Sequence, residues 1–490
     1  MLRKLLLLLL SVFCMITTTV TADDIRVPPP NPKEPVDYIK WINDTMSARV
    51  TENAAELYAQ VNTDILTYHA GVLATSEEEA KRARKAEDHW TLPLRALRGP
   101  WGGGEFKPLE AWLAANSKNL KLIHEGSQRS GLFFELTPAE DSDDFVELAP
   151  LAQLRGMAKL LITAGWAHVA RGHPDRMCEN ALTAIRLGHQ AEMLPFAIDR
   201  LVAVMCAQLG YDALIRTLEH ADSPSQLASE FMERIVDADR TWSSLETVYQ
   251  MEKPWFYHFL QGIYRWDPSQ QRLRLDEPKA RRLVAEFEKW AVLSSLPPGD
   301  DQASGDRAKN GVVNSPTEDR LKWSRIEFGA TLREGNQHFD ALIEWAKQRY
   351  DDALRNADRI ERGPAQSTNR LVRTCCSNLT RTRYIQERVI ATQHAAHTIY
   401  AIWAYHHKRG VFPSRLSAAR SPGGREMQAD PFSGHSLVYK RTRDGFTLYS
   451  VGLDQDDDGG RHHPQFGEFI DGKKPDGDYV FWPPVPLEPY

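Results

Sequence analysis

Cysteine is scarce in this sequence, with five in 490 residues. So few in so long a chain exclude a disulfide framework as the main source of stability. Signatures of nucleophilic and nucleotide chemistry are missing too. There is no G-x-S-x-G, no H-E-x-x-H, no Walker loop and no G-x-G-x-x-G ahead of a helix. Gly102-Gly103-Gly104 follows Trp101 without the strand-to-helix setting that a phosphate cradle needs. No run of Lys and Arg forms a basic stripe, and the formal net charge is −6, which argues against nucleic acid and anionic membrane as partners. Past the N-terminus no segment reads as a membrane span, because Asp199-Arg200 interrupts the best candidate, Leu194 to Leu209. No second copy of a helical hairpin recurs at 34 residues, which excludes a regular tetratricopeptide array.

What is present begins at residue 1. Arg3 and Lys4 form a short positive region, and Leu5 to Val20 is almost wholly apolar, with Ser and Thr. Val20-Thr21-Ala22 then places small residues at −3 and −1 before Asp23, the pattern of a signal-peptidase site. The apolar run is about 16 residues, short for a spanning helix, which needs roughly 20. Cys14 follows Phe13, where lipid attachment requires a small residue, so a lipoprotein signal is excluded. The chain is therefore expected to be exported, to the periplasm or beyond, with residues 1–22 removed and no membrane span left. An uncleaved anchor is the alternative.

Composition then divides the mature chain. Residues 23–36 (DDIRVPPPNPKEPV) hold too much proline for a helix and read as a stiff extended tether. Residues 37–293 form a helical domain. Residues 294–319 carry Pro, Gly, Ser and charge with almost no large apolar side chain, which suits a flexible linker or loop. A helical segment occupies 320–409, and 410–490 is β-rich.

The predicted fold is mainly α: an irregular helical body, then a long helix, then a small antiparallel β module. Apolar residues recur at three- and four-residue steps over 37–66, 109–125, 148–170, 175–187 and 197–218, and again over 321–355 and 383–408. Gly172-His173-Pro174-Asp175 is a helix stop and start, and 158–188 has the small-residue crossing pattern of a tetratricopeptide hairpin. Beyond Gly410 the period changes. Leu437-Val438-Tyr439 and Phe446 to Val451 read as strands, and Asp444-Gly445 between them is a hairpin turn signal.

The order of these motifs carries a resemblance. A long helix precedes Gly410-Val411-Phe412-Pro413, Asp430-Pro431-Phe432-Ser433-Gly434 and Tyr439. The strand Leu448-Tyr449-Ser450-Val451-Gly452 follows, then an Asp-rich loop and Gly477-Asp478-Tyr479-Val480. This resembles the C-terminal part of the major pseudopilin of type II secretion, over roughly residues 385–482. The resemblance implies a small β-sheet on a long helix, with a calcium ion in the loop after the last strands. The family's fibre-assembly start is not here: the chain opens Met1-Leu2-Arg3-Lys4, and Gly445-Phe446-Thr447-Leu448 imitates the prepilin-peptidase site only inside a hairpin. The whole layout is similar to large families of uncharacterised exported bacterial proteins, on Trp112-Leu113 with Asn116, Leu187-Gly188 and Asp199-Arg200-Leu201-Val202.

The sharpest chemical motif is Asp454-Gln455-Asp456-Asp457-Asp458-Gly459, the first half of a calcium loop, in which alternate carboxylates converge and glycine permits the turn. Gln465 stands where a helix-loop-helix site would place its bidentate Glu, so that version is excluded. Asp454, Asp456 and Asp458 are the candidate ligands, with Glu468, Asp471, Asp476 or Asp478 to complete the oxygen shell. A solvated acidic loop is the plainer alternative.

Other side chains point less sharply. His394 and His397 lie one turn apart, with His406-His407 further along the same predicted helix. At 100° per residue the two pairs face different ways, roughly 14 to 20 Å apart along the axis, so they do not share one metal. Cys178 and Cys206 sit in apolar helical surroundings and read as buried thiols, while a bridge from Cys375 or Cys376 to a distant cysteine stays open. The aromatic group from Trp242 to Trp266 reads as core packing, or else as the lining of a sugar or peptide groove.

Two functions are compatible with this pattern. One is an exported, non-catalytic binding or scaffold protein of the bacterial envelope, with an envelope or secreted protein as partner and a calcium-stabilised C-terminal module. The other is an exported hydrolase of glycosides or peptides that uses scattered carboxylates. The processing expectation is directly measurable: N-terminal sequencing of the protein from its native host should begin at or near Asp23, and intact Met1 in the membrane fraction would contradict it.

Overall fold

Side chains that bind backbone groups decide where the helical pattern breaks. The computed structural model describes residues 25–69, 72–74, 76, 79, 91–139, 142–147, 149–294, 326–376, 379–420, 429–462 and 477–485. The export segment, nearly all of 294–319, and Glu468, Asp471 and Asp476 lie outside the described residues. In chain order the first helices are α1 (Tyr38–Ser47), α2 (Ala55–Tyr58), α3 (Thr91–Arg98), α4 (Lys107–Ala115) and α5 (Ser117–Gly126). Next come α6 (Leu151–Val169), α7 (Pro174–Ala191), α8 (Ala197–Thr217), α9 (Pro224–Ala238) and α10 (Leu245–Ile263). The last are α11 (Glu277–Ser294), α12 (Phe328–Ala346), α13 (Tyr350–Ala365), α14 (Arg370–Cys375) and α15 (Arg381–Arg409). The fold is mainly α with a small antiparallel sheet near the C-terminal end.

Three stretches expected as single helices are split, each for an identifiable reason. Over 37–66, α1 and the single turn α2 are separated at Asn53, whose amide donates to Phe133 O (2.8 Å) and accepts from Phe133 N (3.0 Å). Such side-chain bonds offer the backbone an alternative to helix. Over 109–125 the break falls at buried Asn116, which donates to Ile65 O at 2.9 Å. Over 321–355 the chain turns after α12, where the Arg383 guanidinium satisfies the exposed helix-end carbonyls of Trp345 (2.9 Å) and Gln348 (2.5 Å).

At the centre, α7 packs between α6 and α8, and α15 lies across α8 and α9. Gly172, with φ 81°, lets the chain turn from α6 into α7. The α7–α8 contact is close because glycine stands on both sides of it. A Cβ on Gly188 would meet Ala203 O at 2.7 Å, and one on Gly210 would meet Ala181 O at 2.6 Å. Among the described residues one helix, Ala197–His220, is long and apolar enough to cross a membrane, and 67% of its apolar window is buried inside the protein. It passes by length and composition alone, and its apolar side chains pack in the core against α7 and α15.

One continuous hydrophobic core runs from Tyr38 to Trp482, across the boundaries drawn from composition. Most of the aromatic group expected in the core is there: Trp242, Tyr249, Phe256, Tyr257, Phe259 and Tyr264 are buried, while Trp255 and Trp266 are half-buried. The proline-rich segment lies against the body. Asn31 N and Val36 N both donate to Gln261 Oε1 of α10 (3.0 and 3.1 Å), and Tyr38 donates to Pro28 O at 2.7 Å. The four described cysteines are free thiols, Cys178 and Cys206 both pushed up to about 12 by burial.

Two hairpins interrupt the body, β1 (Thr137–Ala139) with β2 (Ser142–Glu147) and β3 (Tyr264–Asp267) with β4 (Arg272–Leu275). The C-terminal sheet is antiparallel, in the order β5 (Val438–Arg441), β6 (Phe446–Ser450), β7 (Tyr479–Trp482), with Val438 opposite Tyr449 and Arg441 opposite Phe446. It seats on the end of α15 through Trp403, whose ring centroid is 5.0 Å from Phe412 and 5.7 Å from Trp482. Because the α7–α8 contact has no room for a methyl group, Gly188→Ala should destabilise the protein by about 1–3 kcal/mol in urea titration. A neutral result would show that the helices can part at no cost.

Candidate functional site

The acidic loop leaves β6 through a series of left-handed residues: Gly452 (φ 71°), Gln455 (φ 68°), Gly459 (φ 78°) and Gly460 (φ 91°). Gln455 adopts this unusual angle while its amide donates to Phe432 O at 2.8 Å. The tight winding brings one carboxylate oxygen from each of Asp454, Asp456 and Asp458 within 4.8 Å of the others. Their neighbours are committed elsewhere. Asp457 accepts from the Tyr449 hydroxyl (2.7 Å) and Gly459 N (2.9 Å). Asp478 accepts from Gly460 N at 2.6 Å, which ties the start of β7 to the loop.

The triad has spare acceptor capacity inside the protein. Asp454 Oδ2 accepts from Gly477 N (3.0 Å) and Asp458 Oδ1 from Arg461 Nη2 (2.7 Å). Asp454 Oδ1 and Asp458 Oδ2 are buried and have no donor among the described residues. A buried acceptor without a partner is costly, and burial, with Asp456 next to it, raises the Asp454 pKa. Carboxylate oxygens are the ligand type that a hard cation such as calcium takes, and this loop offers three side chains that carry them. Of the other expected ligands, Asp478 lies against the same loop, accepting from Asp458 N (3.4 Å) as well as Gly460 N; Glu468 and Asp476 lie outside the described residues.

A second polar centre lies in the helical body, and sequence reading missed it. Asp239, just past the end of α9 and 4% exposed, accepts three hydrogen bonds from three helices. His189 Nε2 of α7 lies 2.8 Å from Oδ1, the Tyr211 hydroxyl of α8 donates to Oδ1 at 2.5 Å, and His397 Nε2 of α15 lies 2.6 Å from Oδ2. Burial opposes charge on Asp239, but the hydrogen bonds from His189 and His397 outweigh it and hold the carboxyl well below the usual range. Burial likewise pulls His189 down, but Asp239 and the nearby Glu192 carboxylate outweigh it and raise its pKa. His394 and His397, one turn apart in sequence, are held in different ways: His394 Nδ1 lies 2.6 Å from Ala429 O. No motif marks Asp239; the single signal is that polar His189 and His397 stand on otherwise apolar helix faces.

Two other acids, buried Asp199 and half-buried Glu252, also hold backbone. Asp199 accepts from Phe196 N (2.8 Å) and Glu252 from Ala197 N (2.7 Å), both at the start of α8. Burial lifts each carboxyl to about 7. Fold and sites together define a helical protein with a small β module hung on its longest helix. No protein-family model, curated protein or solved structure matches the chain.

The clamp should show in the pH dependence of stability. His189 contributes fully below the ordinary histidine value of about 6.5, and its share is lost as pH rises through its raised pKa. Asp239 contributes fully above about 3.9, and its share is lost as pH falls. Asp239→Ala should therefore cost about 3–5 kcal/mol in chemical denaturation, and the gap from the unaltered protein should be widest between about pH 4 and 6.5. A gap independent of pH would mean that the histidine carries no charge there.

Proposed function

We propose that this is an exported, non-catalytic binding or scaffold protein of the bacterial envelope, whose C-terminal module is fastened by calcium. The observation that carries the reading is the acidic loop: Asp454, Asp456 and Asp458 converge within 4.8 Å and leave two buried oxygens without donors among the described residues. Calcium is the chemically suited cation because it accepts many oxygen ligands at variable geometry. Asp454, Asp456 and Asp458 are its protein ligands, and Asp478 holds the loop's backbone in shape. Glu468 and Asp476 remain the acids that would complete the shell.

The scaffold reading is supported by where the body's acids are spent. Asp199, Glu252 and Asp239 hold backbone amides or cross-helix donors inside the core. The hydrolase alternative needs a pair of carboxylates reachable by a substrate, and Asp199 is 1% exposed. A calcium-stiffened module on a long helix suits presentation of a surface to an envelope or secreted protein, in the manner the pseudopilin resemblance implies.

Calcium that binds only the folded chain adds about 2.7 kcal/mol at 100 times its dissociation constant. The melting temperature of the mature full-length chain should therefore rise with calcium, and magnesium should substitute poorly because it demands a tighter octahedral shell. Asp456→Ala, at an exposed ligand, should abolish the rise and leave the calcium-free melting temperature little changed. Identical melting curves in calcium and in chelator would refute the site.

A further inference from the structure

We propose that the end of α15 and the tip of the β5–β6 hairpin form a docking surface for anionic phospholipid. Sequence scanning looks for runs of cations and finds none, because these residues come from separate stretches. Lys408 and Arg409 end the helix, Arg415 follows the Gly410 turn, and Arg441 and Arg443 lie on the hairpin. Tertiary contacts gather them. Tyr439 donates to Pro413 O at 2.7 Å, His406 stacks on Phe412 at 4.4 Å, and Phe412 lies 5.5 Å from Phe446, which pairs with Arg441 across the hairpin.

All five cations are exposed. Among the described residues none of them has an acidic partner, and Asp444 is the only acid within 405–415 and 438–445. Lys440 points away from this group, with its ammonium 4.9 Å from the Tyr449 ring and its charge felt by Asp457. Val411, at the turn between the cations, is 50% exposed, one of two large apolar side chains so exposed among the described residues. Half-buried Tyr405 and Tyr439 flank it.

This is the chemistry of a headgroup layer. Flexible exposed cations read negative charge density and need no fixed partner geometry. A protruding valine loses water contact when it enters the boundary below the phosphates, and tyrosines are at home at that depth. The whole chain is negative, −6, so an anionic surface would repel the rest and orient this end towards itself.

The test uses the mature full-length chain and vesicles, in chelator so that calcium bridges nothing. Co-sedimentation is expected with vesicles containing phosphatidylglycerol, not with pure phosphatidylcholine, and is expected to vanish at high salt. Arg441→Glu with Arg443→Glu, and separately Lys408→Glu with Arg409→Glu, should each weaken binding at least about tenfold. The same charge change on the body, Lys107→Glu with Lys118→Glu, should weaken it less than about twofold. Asp456→Ala should bind as the unaltered protein does, which keeps this outcome separate from that of the calcium site. Equal loss in the patch and body variants, equal binding to both vesicle types, or duplex DNA displacing the vesicles through the same arginines would overturn the proposal.

Discussion

One buried carboxylate holds the helical body together at its most demanding junction. Asp239 is fixed at the end of α9, and its two oxygens take donors from α7, α8 and α15. A charge so placed is costly to desolvate, and the cost is met only because all three donors are in position at once. The orientation of four helices is thereby coupled. Arg200 works in the same way nearby, with its guanidinium donating to Ser243 O and Gln386 Oε1, so that α8 and α15 are held to one geometry by two polar centres.

From that junction α15 acts as the spine. It is embedded against α8 and α9, with contacts as far along as Tyr400, and its last turns carry the sheet on Trp403. The module needs this support, since three short strands make too small a core to stand alone in water. The loop between β6 and β7 is the remaining weak point. Its backbone is tied by Asp457 and Asp478, while the convergent triad keeps acceptors that no described residue satisfies.

Much of the architecture was legible from local signals. Apolar period, the Gly172–Asp175 break and the Asp444-Gly445 turn are short-range features, and each acts within its own few residues. The alternating aspartates likewise announced the loop, since carboxylates two apart in a tight turn must approach one another. Such features are decided by neighbouring backbone geometry, which the sequence states directly.

Other features depend on residues far apart in the chain. Asn53 and Asn116 look like ordinary helical positions until Phe133 and Ile65 offer them backbone partners. Asp239 looks like a solvated acid until three helices deliver donors to it, and Asp478 lies far along the chain from the loop until Gly460 N and Asp458 N reach its oxygens. A hydrophobic core with members from Tyr38 to Trp482 likewise joins side chains from distant stretches. The sequence by itself determined which stretches are helical and which loop is acidic, because those are local properties. Only the tertiary structure decided which polar groups meet, because the worth of a buried hydrogen bond or a clustered charge depends on partners that the chain supplies from elsewhere.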